Sequence, residues 1–138
     1  KPSMETKNIA EEGVSRDLRR HERVFAKEEV FAAFITENKN YYMNYGQILD
    51  MSIGGIGIKY SSQNGSYQQN EYVLIELFGQ FSTPSYGIYR CRVAYNFVLE
   101  KDPWSSLIVR RCGLQFMGLQ SEQIQKIQRF IEIYSKVD

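Results

Sequence analysis

Two groups of residues carry most of the chemical potential of this chain. Residues 16–23 read Arg-Asp-Leu-Arg-Arg-His-Glu-Arg, so that Arg16, Arg19, Arg20 and Arg23 face only Asp17 and Glu22, a local balance of +2. Residues 50–57 read Asp-Met-Ser-Ile-Gly-Gly-Ile-Gly. A guanidinium is a planar fork that grips phosphate through paired N–H groups and stacks on bases, and a carboxylate accepts from the donor edge of guanine. A guanine nucleotide bearing phosphates would use both groups. Each also has a plainer reading alone: a solvated arginine arm, and an ordinary tight turn built of Asp, Ser and Gly. The glycines are not a phosphate cradle of the common kinds, since neither Gly-Lys-Ser/Thr nor a helix-opening G-x-G-x-x-G is present.

The remaining composition removes most other chemistries. The chain has 138 residues, 17 Lys+Arg against 16 Asp+Glu, one His and two Cys, with 43% hydrophobic residues. This is the size and balance of one globular domain. A net charge of +1 supplies no global field for a long nucleic acid, so any anion site must be local. His21 alone cannot build a His-rich metal centre, and no acidic and nucleophilic partners are evident beside it, so catalysis is not expected. Cys91 and Cys112 lack C-x-x-C spacing and a secretory signal, which points to reduced thiols and a cytoplasmic location; a pair across a hairpin about Pro103 is the one disulfide the spacing leaves open. No apolar run approaches the roughly 18–20 residues of a membrane span.

These residues must be positioned by strands. Residues 1–15 are polar and without apolar period, and are expected to form a flexible tail. From Val24 onward the chain breaks into short β-rich runs: 24–35, 45–53, then 56–60 after the glycines, 71–78, 86–99 and 106–116, with Asn64-Gly65 and Pro103 as turn signals. In the fourth run Val73, Ile75 and Leu77 share a face; in the fifth, Tyr89, Cys91, Val93, Tyr95 and Phe97 are expected to face one way and Arg90, Arg92 and Asn96 the other. Ile124, Ile127, Phe130, Ile131 and Tyr134 then fall at helical spacing, with Ser121 as expected N-cap and Glu122 in the first turn. The expected fold is mainly β: a small six-stranded antiparallel, split β-barrel with a C-terminal α-helix covering it and a flexible N-terminal arm. Most of the ten tyrosines should be strand packing rather than base-stacking platforms. Trp104, beside a Pro turn, is left open between core and surface.

In this order, and placed on such a scaffold, the two groups make the chain resemble the PilZ domains of bacteria, receptors for the second messenger cyclic diguanylate (cyclic di-GMP). The R-x-x-x-R motif that leads into the first strand is matched by Arg19 and Arg23, with Val24 following; Arg16 and Arg20 share the spacing but do not abut the strand. D/N-x-S-x-x-G is matched by Asp50, Ser52 and Gly55. The resemblance extends through the strand 112–116 and its following helix, giving a PilZ-like domain over residues 16–138 after the tail 1–15.

The resemblance implies a ligand-induced switch rather than an enzyme, with cyclic di-GMP as ligand and no further cofactor or metal. Arg19 and Arg23 would clasp phosphate and the guanine face or Hoogsteen edge, Asp50 would accept from guanine N1 and N2, Ser52 would serve the polar rim, and Gly55 would admit backbone without a Cβ. Arg20 and Arg16 would reinforce the grip. Leu18, just ahead of the motif, favours one bound ligand over two. Folding the arm costs about 1–2 kcal/mol per residue ordered, so several charge-assisted bonds must act together, whereas losing residues before Ser15 should hardly matter. The output would be a protein effector in motility, biofilm or exopolysaccharide production, without membrane insertion and without long nucleic acid. The alternative is a nucleotide-independent PilZ-type adaptor, which generally lacks the arginine motif.

Overall fold

The computed structural model describes residues 22–35, 42–62, 67–79 and 85–136. Strands β1 (Val24–Phe25), β2 (Phe31–Ile35), β3 (Tyr42–Ser52), β4 (Gly55–Ser62), β5 (Tyr72–Phe78), β6 (Ser85–Lys101) and β7 (Ile108–Phe116) precede a helix, α1 (Ser121–Tyr134). All pairings are antiparallel, in the order β1-β3-β2-β5-β6-β7-β4, and β4 returns to pair with β3. Strands β2 to β7 thus close a six-stranded barrel, the expected architecture, and β1 is an additional two-residue strand. Closure leaves no hydrophobic edge to solvate, which is how a short β-rich chain of this kind avoids open ladders.

The run expected as one strand over 24–35 is interrupted. Both halves lie against β3, with Val30 O accepting from Ile48 N and Leu49 O from Ala26 N, but residues 27–29 loop out and Glu29 takes φ 66°. The consequence is register: Phe25 faces Asp50 and Val24 faces Met51, so the preceding residue, Arg23, arrives opposite Ser52.

The interior is apolar and continuous. Phe34, Ile48, Met51, Ile58, Ile75, Leu77 and Tyr89 are buried with Cys91 and Cys112, whose thiols are free. The hairpin disulfide left open by spacing is therefore not formed. Burial pushes the Cys112 thiol up to about 12 and Cys91 further, because a thiolate has no solvation there. The helix buries Ile127, Phe130 and Tyr134, and Phe130 meets Tyr86 edge-on at 5.1 Å between ring centroids. Its N-cap is Gln120, one residue before the expected Ser121; Gln120 N donates to Gln123 Oε1 at 2.9 Å, the half of a capping box in which the N3 side chain reaches back to the N-cap N–H. After the helix, Lys27 N donates to Tyr134 O and Lys136 N to Phe25 O, so the helix exit clamps β1 from its outer side. Trp104 lies at the β6–β7 tip and is 92% exposed.

Candidate ligand-binding site

Two rows of residues cross the outer surface of β3, β4, β7 and β6. Ser52 faces Gly55, Gly55 faces Gln115, and Gln115 faces Arg92; beside it, Asp50 faces Gly57, Gly57 faces Gly113, and Gly113 faces Tyr95. Opposite residues in neighbouring strands project to one side of a sheet, so each row sets polar side chains at its ends over a floor of glycine. A Cβ on Gly57 would stand 2.7 Å from Asp50 Oδ1, and one on Gly55 2.2 Å from the Leu114 carbonyl oxygen. Gly55 is thus required first by the close approach of β7. The cavity above this floor, about 430 Å³, is lined by Arg23, Asp50, Arg92, Tyr95, Arg111 and Gln115 among others, a size within the usual range for small-molecule sites.

Asp50 is the hub. Arg23 Nε and Nη2 both donate to its Oδ1, at 3.1 and 2.5 Å, and Arg111 Nη2 donates to Oδ2 at 2.6 Å. Arg23 Nη1 also donates to Ser52 Oγ at 3.3 Å, and the same oxygen accepts from Gly54 N at 3.1 Å. Ser52 is buried, and Asp50 retains only 15% of its side-chain surface. Partial burial alone would lower the Arg111 pKa, but its hydrogen bond to Tyr95 and its contact with Asp50 outweigh that and raise it. Among the described residues the lining carries three guanidiniums against one carboxylate, a positive balance that suits an anionic ligand.

Of the residues expected from sequence, Arg23, Asp50, Ser52 and Gly55 come together here. Arg16, Arg19 and Arg20 lie outside the described residues, as do His21, Leu18 and the tail 1–15. Sequence reasoning missed Tyr95, Arg111, Gln115 and the use of Arg92. The alternation expected along β6 is wrong beyond Val93: the register shifts between Val93 and Tyr95, so Tyr95 and Phe97 leave the core and Asn96 turns inward, donating to Tyr60 Oη and to the Tyr67 carbonyl. A bulge adds a residue to one strand and reverses the facing of the residues beyond it. Strict alternation hid it; the polar Asn96 amid aromatics was the available signal. Among the described residues no cluster of three or more His, Cys, Asp or Glu could hold a metal, and no helix is long and apolar enough to cross a membrane.

Comparison with known proteins points the same way. No curated protein matches the sequence significantly. The PilZ domain of YcgR from Escherichia coli, solved with c-di-GMP, superposes with a TM-score of 0.62 at 18% identity, covering 83% of this chain and 89% of that one. MrkH of K. pneumonia in its apo state gives 0.55 at 16% identity, covering 81% and 47%, and YcgR in complex with c-di-GMP gives 0.57 at 18%, covering 83% and 45%. This chain spans about half the length of those two longer proteins. These likenesses concern the fold. The family model described as PilZ domain matches residues 17–132, nearly the whole barrel and its covering helix, and this chain therefore belongs to the PilZ domain family.

Proposed function

We propose that the chain binds cyclic di-GMP in the cavity over the Gly55–Gly57–Gly113 floor and passes its occupancy to a protein partner governing motility, biofilm or exopolysaccharide output. The observation that carries this reading is Asp50, held between Arg23 and Arg111 at the edge of a cavity with a positive balance. Asp50 already accepts N–H groups from guanidiniums, and guanine N1–H and N2–H present the same donor chemistry. Arg23, freed from Asp50 Oδ1, turns to phosphate or to the Hoogsteen edge, and Arg19 supplies the second fork. Tyr95, partly exposed beside Gly113, offers a face to a purine. The YcgR domain of similar fold was solved with c-di-GMP, which supports the choice of ligand.

Titration calorimetry with cyclic di-GMP tests this. The wild-type chain should bind, and Arg23→Ala, Arg19→Ala and Asp50→Ala should each lose nearly all affinity, since each removes a charge-assisted bond of about 1.5–3 kcal/mol from a set that must act together. Wild-type affinity in Arg23→Ala would overturn the assignment. The adaptor reading draws on Phe97, Val98, Leu99 and Trp104, exposed along the β6–β7 hairpin; a partner captured equally well by the Arg23→Ala variant, with and without the messenger, would favour it.

A further inference from the structure

Arg92 belongs to neither sequence motif, yet all three of its side-chain nitrogens are held at the cavity wall. Its Nε and Nη2 donate to Gln115 Oε1 at 2.9 and 2.5 Å, and its Nη1 donates to Asn70 Oδ1 at 2.5 Å. Both holders are neutral. Arg23 and Arg111, by contrast, share the carboxylate of Asp50. Gln115 is a buried polar residue, 9% exposed, and Asn70 sits in the turn before β5 at φ 73°, a left-handed conformation that Asn tolerates better than most residues.

Amide oxygens fix the orientation of a guanidinium without cancelling its charge, and the entropy of ordering a long side chain is then spent before any ligand arrives. Of the five N–H groups of the guanidinium, three are committed to these acceptors. A carboxylate partner would fix the guanidinium too but would cancel the charge that an incoming anion needs. Position adds to the argument. Arg92 closes the row that begins at Ser52, three strands away, a backbone separation of about 14 Å at the usual strand spacing. It lines the same cavity as Asp50 from the opposite wall.

We propose that Arg92, preset by Gln115 and Asn70, is a second phosphate anchor at the far wall of the cavity. Resting on the reading above, it binds a phosphate of the dinucleotide whose guanine is held at Asp50. A ligand must reach both walls to use it, so Arg92 selects a messenger with two phosphates over a mononucleotide.

The test is calorimetry on the full chain with cyclic di-GMP at several salt concentrations, for wild type, Arg92→Gln, Arg92→Lys and Gln115→Leu, each first checked by thermal melting. Arg92→Gln should weaken binding about ten- to a hundredfold, the worth of one charge-assisted bond, and should flatten the salt dependence. Arg92→Lys keeps the charge and hence the salt dependence, with a smaller loss because lysine binds phosphate as a point charge. Gln115→Leu should fall between wild type and Arg92→Gln. Wild-type affinity and salt dependence in Arg92→Gln would overturn the proposal while leaving the ligand assignment intact. The arginine Nε–H resonance of Arg92, followed by NMR against cyclic di-GMP and against inorganic pyrophosphate, separates the two claims. A shift with pyrophosphate but not with cyclic di-GMP would overturn the ligand and keep the anchor. No shift with either would overturn the anchor.

Discussion

At the residue scale, Asp50 has one job in the structure and a second under the proposed function, and the two pull in the same direction. Its carboxylate answers two guanidiniums that would otherwise repel one another over the glycine floor, and in the proposed function the same oxygens accept from guanine. Exposed ion pairs contribute about 0–1 kcal/mol, and hydrogen bonds to charged groups about 1.5–3 kcal/mol. For a carboxylate with 15% of its side-chain surface remaining, Asp50→Ala should therefore lower stability by about 1–2 kcal/mol in urea unfolding. A double-mutant cycle with Arg111→Ala should return a coupling energy of about 0.5–2 kcal/mol; zero coupling would mean that the Arg111 contact does not hold in solution. Arg23, Asp50 and Ser52, which the structure brings together, were legible in the sequence because they were picked out by residue type and by local spacing. Arg111 was not: it is 61 residues from Asp50, and nothing in its neighbourhood announces the pairing.

At the element scale, register does the positioning. The two-residue pairing of β1 with β3 brings Arg23 level with Ser52, and the β6 bulge turns Tyr95 out of the core and over Gly113. The glycines differ in what they protect. At Gly113 a Cβ would lie 2.1 Å from the Tyr95 ring, a half-exposed side chain that can move aside. At Gly55 it would meet the backbone oxygen of Leu114 at 2.2 Å, which requires β4 and β7 to separate. Gly113→Ala should thus reduce ligand affinity with less than about 1 kcal/mol lost in stability, and Gly55→Ala should cost about 1–3 kcal/mol. Unfolding in urea alongside calorimetry distinguishes them, and equal stability losses would refute the distinction. Strand existence, the turn about Pro103 and the helical stripe were readable from period and punctuation. The interruption at residues 27–29 and the bulge were not, because both are fixed by what β3 and β7 present across the ladder.

At the scale of the whole molecule, the barrel interior holds its ionisable groups neutral. Burial raises the Cys112 thiol to about 12, raises Cys91 further, and raises the phenols of Tyr60, Tyr67 and Tyr89. A folded-state pKa above the unfolded value means that the folded chain keeps a proton which the unfolded chain has lost. Stability is then full below the unfolded thiol value of about 8.5 and is lost as pH rises toward the folded value. Each thiol ionised on unfolding contributes a slope of about 1.4 kcal/mol per pH unit. The urea midpoint should hold steady from about pH 7 to 8 and fall above about 8.5, more steeply above about 10 as the unfolded tyrosines ionise. The double variant Cys91→Ala/Cys112→Ala should flatten the first part of that fall. A midpoint independent of pH up to about 10 would show that the thiols titrate in the folded chain.

The amino-acid sequence by itself determined the class of fold, the six-strand count of the barrel, the helix that covers it, and the choice of Arg23, Asp50, Ser52 and Gly55 as residues that meet at one site. Each of these rests on local information: apolar period, turn residues, and the donor or acceptor character of a side chain. Tertiary structure alone decided that Arg23 reaches Asp50 and Ser52, that Arg111, Tyr95 and Arg92 complete the cavity wall, and that Gln115 is spent on holding a cation. The reason is that strand register is a property of pairs of segments far apart in the chain. A shift of one residue reverses every side chain beyond it, and only the closed ladder states where that shift occurs.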